Sequence, residues 1–161
     1  MMRVTWRAAL GIGGVVCALV TGRAGEAPGF SGKWRLEPSV SDFGKGHAAP
    51  LGRTDEIRVE GPWVQVASLT VRPDGDTLRL DYRYRSDGAA TNRVRGQEVR
   101  TRGRRDGAAL RFDSEAWLGP VKVTVAEQWR LSGAGDTLTF DRNSNSIFGK
   151  ERQRLVFVRA R

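Results

Sequence analysis

A chain of 161 residues with 28% charged side chains and a formal charge of +9 fits one well-solvated domain. One histidine and one cysteine exclude a zinc centre built from those ligand types. Twenty glycines and six prolines stand between apolar runs, where they mark turns rather than disorder.

The chain opens with Arg3 and Arg7, followed by the uncharged, mostly apolar stretch Ala8 to Val20. Gly22-Arg23-Ala24 then puts small residues where a signal peptidase reads them. Residues 1–24 are expected to be a cleaved signal peptide, with Ala27 as the alternative cleavage position, and 25–161 a single mature domain. The apolar run falls short of the roughly 20 residues that span a bilayer, so no transmembrane segment is expected after cleavage. Cys17 lies in this leader, and Val16 before it departs from a lipobox. The expected product is exported, to the periplasm or outside the cell, and folds without a disulfide. It keeps 24 basic residues against 18 acidic ones, near +6. That charge suits weak association with an anionic envelope surface, although a solvated arginine-rich surface explains it more simply.

Apolar alternation and turn residues predict ten strands, at 32–37, 53–60, 63–72, 77–85, 90–95, 97–104, 109–117, 121–131, 137–143 and 151–159. The fold class is all-β, a single antiparallel up-and-down meander, which escapes exposed edges by closing into a barrel. Residues 38–52 form an irregular connector. Four hairpins predict their registers. A four-residue loop at Pro73–Asp76 pairs Leu69 with Leu80, and a three-residue loop Ser86-Asp87-Gly88 brings Asn92 beside Tyr82. A two-residue turn Asp106-Gly107 pairs Thr101 with Phe112, and a loop Trp117–Pro120 pairs Phe112 with Val125. An outer-membrane barrel would turn the apolar face to lipid, and strands such as Thr54 to Glu60 are too polar and too short for that.

The segment Phe30-Ser31-Gly32-Lys33-Trp34-Arg35-Leu36 opens the mature domain. A glycine two residues before a tryptophan, at the start of the first strand of a β-meander, resembles the calycin pattern of lipocalins and fatty-acid-binding proteins. Ser41-Asp42-Phe43-Gly44 adds a likeness to small secreted bacterial lipocalin-like proteins. The resemblance implies a lipocalin-like β-barrel over 25–161 that Gly32 and Trp34 help to close. It also implies an arginine, Arg159 or Arg161, packed across the tryptophan ring. The sequence departs from the family pattern in lacking a Thr-Asp-Tyr motif and a long C-terminal helix. Its connector is also too short for a helical lid.

Charges out of phase with the apolar face point to a candidate site. Glu127 shares a parity with Val121, Val123, Val125, Trp129 and Leu131, and Arg142 shares one with Leu138 and Phe140. A four-residue loop Gly133–Asp136 sets Glu127 opposite Arg142, and an interior charge needs such a partner. The pair, with Tyr82, Tyr84, Trp129 and Gln65, is expected to supply polar contacts in an apolar cavity. Alternatively, the pair lies near the rim, where water reaches it. By the same resemblance, Arg142 could hold a carboxylate.

Catalysis is not expected. His47 lies in a loop, and no Gly-x-Ser-x-Gly elbow, His-Glu-x-x-His or phosphate-cradling loop occurs. The rows Arg79, Arg83, Arg85 and Arg100, Arg102, Arg104 carry no interleaved aromatics, and Asp81, Glu98 and Asp113 offer partners, so nucleic acid is not an expected ligand. The reading is a non-catalytic binding protein for a small hydrophobic or amphipathic molecule, with no cofactor and no metal. Its alternative is an envelope-associated structural or protein-interaction module with a filled barrel.

Overall fold

The computed structural model describes residues 29–160. The leader with Cys17 and both cleavage positions lies outside them, as does Arg161. Ten antiparallel strands form one sheet: β1 (Gly32–Leu36), β2 (Gly52–Glu60), β3 (Trp63–Val71), β4 (Thr77–Arg85), β5 (Ala89–Val94), β6 (Gln97–Asp106), β7 (Ala109–Leu118), β8 (Val121–Leu131), β9 (Thr137–Ser146) and β10 (Gly149–Arg159). The order β4-β3-β2-β1-β10-β9-β8-β7-β6-β5 is the predicted meander curled into a nearly closed barrel. The only helical piece among the described residues is a 3₁₀ turn, Pro38–Val40, in the connector.

Alternation sorts the faces. In β8, the parity of Glu127 and Trp129 turns inward while Lys122, Thr124 and Arg130 face water. Trp34, Trp129, Phe112, Phe140 and Phe157 are fully buried and fill one half of the barrel. At that end Trp34 donates its indole N–H to the Phe30 carbonyl at 2.9 Å. Arg159 lies over the indole, 4.3 Å from the ring centroid, and binds the carbonyls of Ser31, Gly29 and Gly135 at 2.8, 3.0 and 3.0 Å. Gly32 has φ +144°, and a Cβ there would stand 2.5 Å from Arg159 Nη1. The glycine of Gly-x-Trp is favoured first by that backbone conformation, which L side chains rarely adopt, and a Cβ would also press on the guanidinium that covers the tryptophan.

The loops correct several expected registers. Arg72 N–H donates to the Asp76 carbonyl at 2.7 Å, so the β3–β4 loop holds three residues, Pro73-Asp74-Gly75, rather than four. Leu69 therefore pairs with Arg79 and Ser68 with Leu80. A one-residue slip exchanges the faces of a strand, and β3 buries Val64, Val66 and Ser68 while Leu69 is exposed. Gln65 shares the outer face and leaves the candidate site. The β6–β7 turn is Gly107-Ala108, which pairs Thr101 with Ser114. The β7–β8 turn is Gly119-Pro120, which pairs Phe112 with Glu127. Both are two-residue shifts and keep the expected faces.

The fourth hairpin does not form, because β4 and β5 are the two ends of the sheet and share no ladder. Ser86 N–H stays with the Pro62 carbonyl, and Gly103 N–H reaches the Gly88 carbonyl, each at 2.8 Å. The seam is closed by a side chain. Asn92 accepts from Arg83 N–H and donates to the Arg83 carbonyl, both at 2.8 Å, in the manner of a strand peptide. Gly103 lies against the other side of the seam, where a Cβ would collide with the Arg85 carbonyl oxygen. Replacing Asn92 by alanine is expected to cost about 1 kcal/mol and to speed amide exchange at Arg83. Unchanged exchange there would show that the seam does not depend on this amide.

Candidate functional site

The polar residues inside the barrel sit on facing strands, positioned by the same alternation that builds the core. Glu127 pairs with Arg142 across the β8–β9 ladder in the register expected from the Gly133–Asp136 loop. Arg142 Nε donates to Glu127 Oε1 at 2.7 Å, and its Nη2 lies 2.5 Å from the same oxygen. Trp129 Nε1 donates to the second carboxylate oxygen at 3.1 Å. Glu127 is 6% exposed, whereas the Arg142 side chain keeps 28% of its exposure, so the carboxylate lies within the wall and the guanidinium borders the pocket that water reaches. The adjacent carboxylate raises the Arg142 pKa above its ordinary value despite desolvation, which pulls the other way.

A second interior pair completes the cluster. In β2, Arg53 Nε and Nη2 donate to the two oxygens of Asp55 at 2.9 and 2.8 Å, and Asp55 is fully buried. The Arg53 guanidinium also lies 5.4 Å from the Phe157 ring centroid. Desolvation works against its charge, yet the Asp55 carboxylate holds its pKa above the ordinary value. Sequence reasoning missed this pair although the signal was present. Arg53 and Asp55 share a parity with Ile57 and Val59, the same out-of-phase pattern that singled out Glu127.

Tyr82 and Tyr84 close the cluster from β4, with ring centroids 5.2 Å apart. Tyr84 packs on Phe112 with the rings tilted and their centroids 4.3 Å apart, and meets Trp129 edge-on at 5.8 Å. Burial, first of all, pushes both phenols well above their ordinary pKa. These are the only tyrosines in the chain. An unfolded phenol ionises near about pH 10. As pH rises past that value the unfolded state loses protons that the folded state keeps, so stability falls. Tyrosinate absorbance is expected to rise together with the loss of near-UV circular dichroism; ionisation clearly preceding unfolding would contradict burial of the two rings.

Both guanidiniums line a pocket of about 250 Å³ under the connector, bounded also by Leu36, Phe43, Gln153 and Leu155. The connector is docked there by paired backbone bonds between Asp42 and Arg154, at 2.7 and 2.8 Å, and by Gln153 Nε2 donating to the Phe43 carbonyl at 2.9 Å. His47 borders this pocket and lies 2.5 Å from Glu151. Beside the cluster, the half-buried inward side chains Leu78, Leu80, Val94, Val99, Val123 and Val125 carry an apolar inner wall to the open end. Larger pockets of about 570 and 820 Å³ take residues of both faces, with Val66 and Tyr82 beside Glu56 and Arg83 in the first, and Thr101, Ser114, Val125 and Ser144 beside Arg100 and Asn143 in the second.

The outer basic rows also need a correction. Trp63 stands among them, with Arg83 and Arg85 at 4.6 and 5.2 Å from its ring centroid, so an aromatic is present but is engaged by two cations. Arg100 and Arg104 pair with Glu98 and Asp113 at 2.8 and 2.7 Å. Asp81, an expected partner, makes no ion pair among the described residues. No group of three or more His, Cys, Asp or Glu side chains among the described residues could hold a metal ion.

No protein-family model matches the chain, and no curated protein matches it. Solved structures do. A single-site mutant of the fluorescent protein UnaG matches with a TM-score of 0.58 at 14% identity, over 82% of this chain and 96% of that one. Zebrafish ileal bile acid-binding protein, complexed with cholic acid, gives 0.55 at 12% identity, over 81% and 98%. Lipid binding protein 8 of Caenorhabditis elegans gives 0.55 at 14% identity, over 81% and 95%. At such identities the likeness is one of fold.

Proposed function

We propose, from the premise that this chain has the calycin-like barrel fold, that it is an exported, non-catalytic binding protein for a small apolar or amphipathic molecule. The ligand enters at the open end. Its polar part lodges in the pocket bounded by Arg53 and Arg142, and its apolar part lies along Leu78, Leu80 and Val123. The observation that carries this reading is the junction itself, where a pocket ending on two guanidiniums adjoins an apolar wall that remains half exposed. Ligand sites characteristically combine an apolar lining with a few placed polar groups. The bile acid-binding and lipid binding proteins named above lend the reading support by analogy of fold. Export rests on the leader segment, and weak attraction to an anionic envelope surface on the basic charge.

Native mass spectrometry after mild purification tests the reading, together with titration by a fluorescent lipid analogue. A co-purified adduct, or saturable probe binding that Leu80→Arg abolishes, is the expected result. Neither adduct nor saturation would favour the second reading, a filled barrel acting through its surface. That alternative draws on the stack of Phe112, Trp129, Phe140 and Phe157, which occupies the closed half of the interior.

A further inference from the structure

Resting on that binding reading, we infer that the polar part of the ligand is uncharged: an alcohol, ester or amide rather than a carboxylate. The cluster contains two cations and two anions, each cation already closed on its own carboxylate. Arg53 gives Nε and Nη2 to Asp55, and Arg142 turns Nε and Nη2 to Glu127. The two phenols add no charge at neutral pH, since a phenol ionises only at about pH 10 or above. The interior end of the pocket is therefore electrically compensated.

An ionised ligand carboxylate has two ways to enter, and both are costly. It can sit beside a closed pair, giving up its hydration without gaining a net counter-charge. Or it can draw a guanidinium away and strand Asp55 or Glu127, which are 0% and 6% exposed, without a partner. A hydroxyl, ester or amide avoids both costs. The third nitrogen of each guanidinium, Nη1, remains to donate to a neutral oxygen, and a ligand hydroxyl can also donate to a carboxylate. One further cation, Arg72, borders the pocket from the β3–β4 loop. It is half exposed there, and salt screens attraction at such a position. It can hold an acid at the lip without drawing it inside.

The test compares two probes that share a pyrene-labelled alkyl chain of one length, one ending in a carboxylate and the other in an alcohol, at neutral pH and moderate salt. Wild-type protein is expected to bind the alcohol about tenfold more tightly, a difference of about 1.4 kcal/mol. Glu127→Gln frees Arg142 and is expected to tighten the acid by a similar factor, so that the preference for the alcohol is lost; Asp55→Asn does the same through Arg53. Equal or tighter binding of the acid by wild type overturns the inference. So does a folded Glu127→Gln protein whose acid affinity has not moved. Thermal melts establish folding, and if Glu127→Gln fails to fold, Asp55→Asn and the wild-type comparison decide. If neither probe binds, the binding reading itself falls, and this inference falls with it.

Discussion

Replacing Arg142 with alanine is expected to lower the free energy of unfolding by about 3–5 kcal/mol, the range for breaking one side of a buried ion pair. The cause is less the lost attraction than the carboxylate left behind. Glu127 is 6% exposed, and only the Trp129 indole would still bond to it, at 3.1 Å. The double variant Glu127→Leu with Arg142→Met removes both charges and is expected to recover most of the loss, since a buried pair and an apolar pair of similar volume are often close in stability. Equilibrium denaturation of the three proteins checks both parts. A single variant within about 1 kcal/mol of wild type would place the pair in a solvated setting. The comparison also separates roles, because a stable double variant that no longer binds an alcohol probe assigns the pair to recognition.

The second large effect is expected at Trp129. Its indole stacks on Phe140 with centroids 4.3 Å apart, meets Phe112 edge-on at 5.0 Å and Tyr84 at 5.8 Å, and is fully buried. Truncation to alanine removes this contact surface and leaves a void that the rigid barrel wall cannot collapse, at a cost of about 3–5 kcal/mol. Trp129→Phe keeps most of the volume but loses the donor to Glu127, and is expected to cost less. The void would lie beside the polar cluster and open the closed half of the barrel to a longer ligand. Trp129→Ala is therefore expected to shift the preferred chain length of alkyl probes upward even as stability falls. A loss below about 1 kcal/mol, at the low end of core truncations, would show that the stack does not hold the closed half together.

The strand count and the antiparallel order were legible from alternation and turn residues, and the β8–β9 register was legible because Gly133 to Asp136 leaves one sensible loop length. The face of β3 was not. Between Trp63 and Val71 apolar side chains occur at both parities, with Val64 and Val66 on one and Ala67, Leu69 and Val71 on the other. Loop length alone decides between the parities, and the loop closed by Arg72 and Asp76 holds three residues where its turn signals extend over four. The β4–β5 seam was illegible for a different reason. Glycine-containing loops announce hairpins, but whether the flanking strands stay together depends on what else they can pair with, and Ser86 finds Pro62 instead. In the site, Glu127, Arg142, Tyr82, Tyr84 and Trp129 emerge from the sequence as residues that share an interior. Arg53 and Asp55 were passed over because β2 as a whole reads as polar, although their parity with Ile57 marked them.

The seam between β4 and β5 has a topological consequence. Every neighbouring pair in the sheet is joined by a short loop or the β1–β2 connector, except β1 with β10, whose Trp34↔Arg159 pairing spans nearly the whole chain. A circular permutant cut at Asp87, with a short linker running from Ala160 back to Gly29, would read β5 through β10 and then β1 through β4. It would keep each ladder while making every one of them local. Gly29 and Arg159 already share a hydrogen bond of 3.0 Å, so the linker need span little. The cut also makes the Asn92–Arg83 seam the contact furthest apart in sequence, so one distant closure is exchanged for another. Since folding slows as contacts become more distant in sequence, stopped-flow refolding of the two chains would show which closure is the slower. In the natural order, the distant closure is the β1–β10 ladder, where Trp34 meets Arg159.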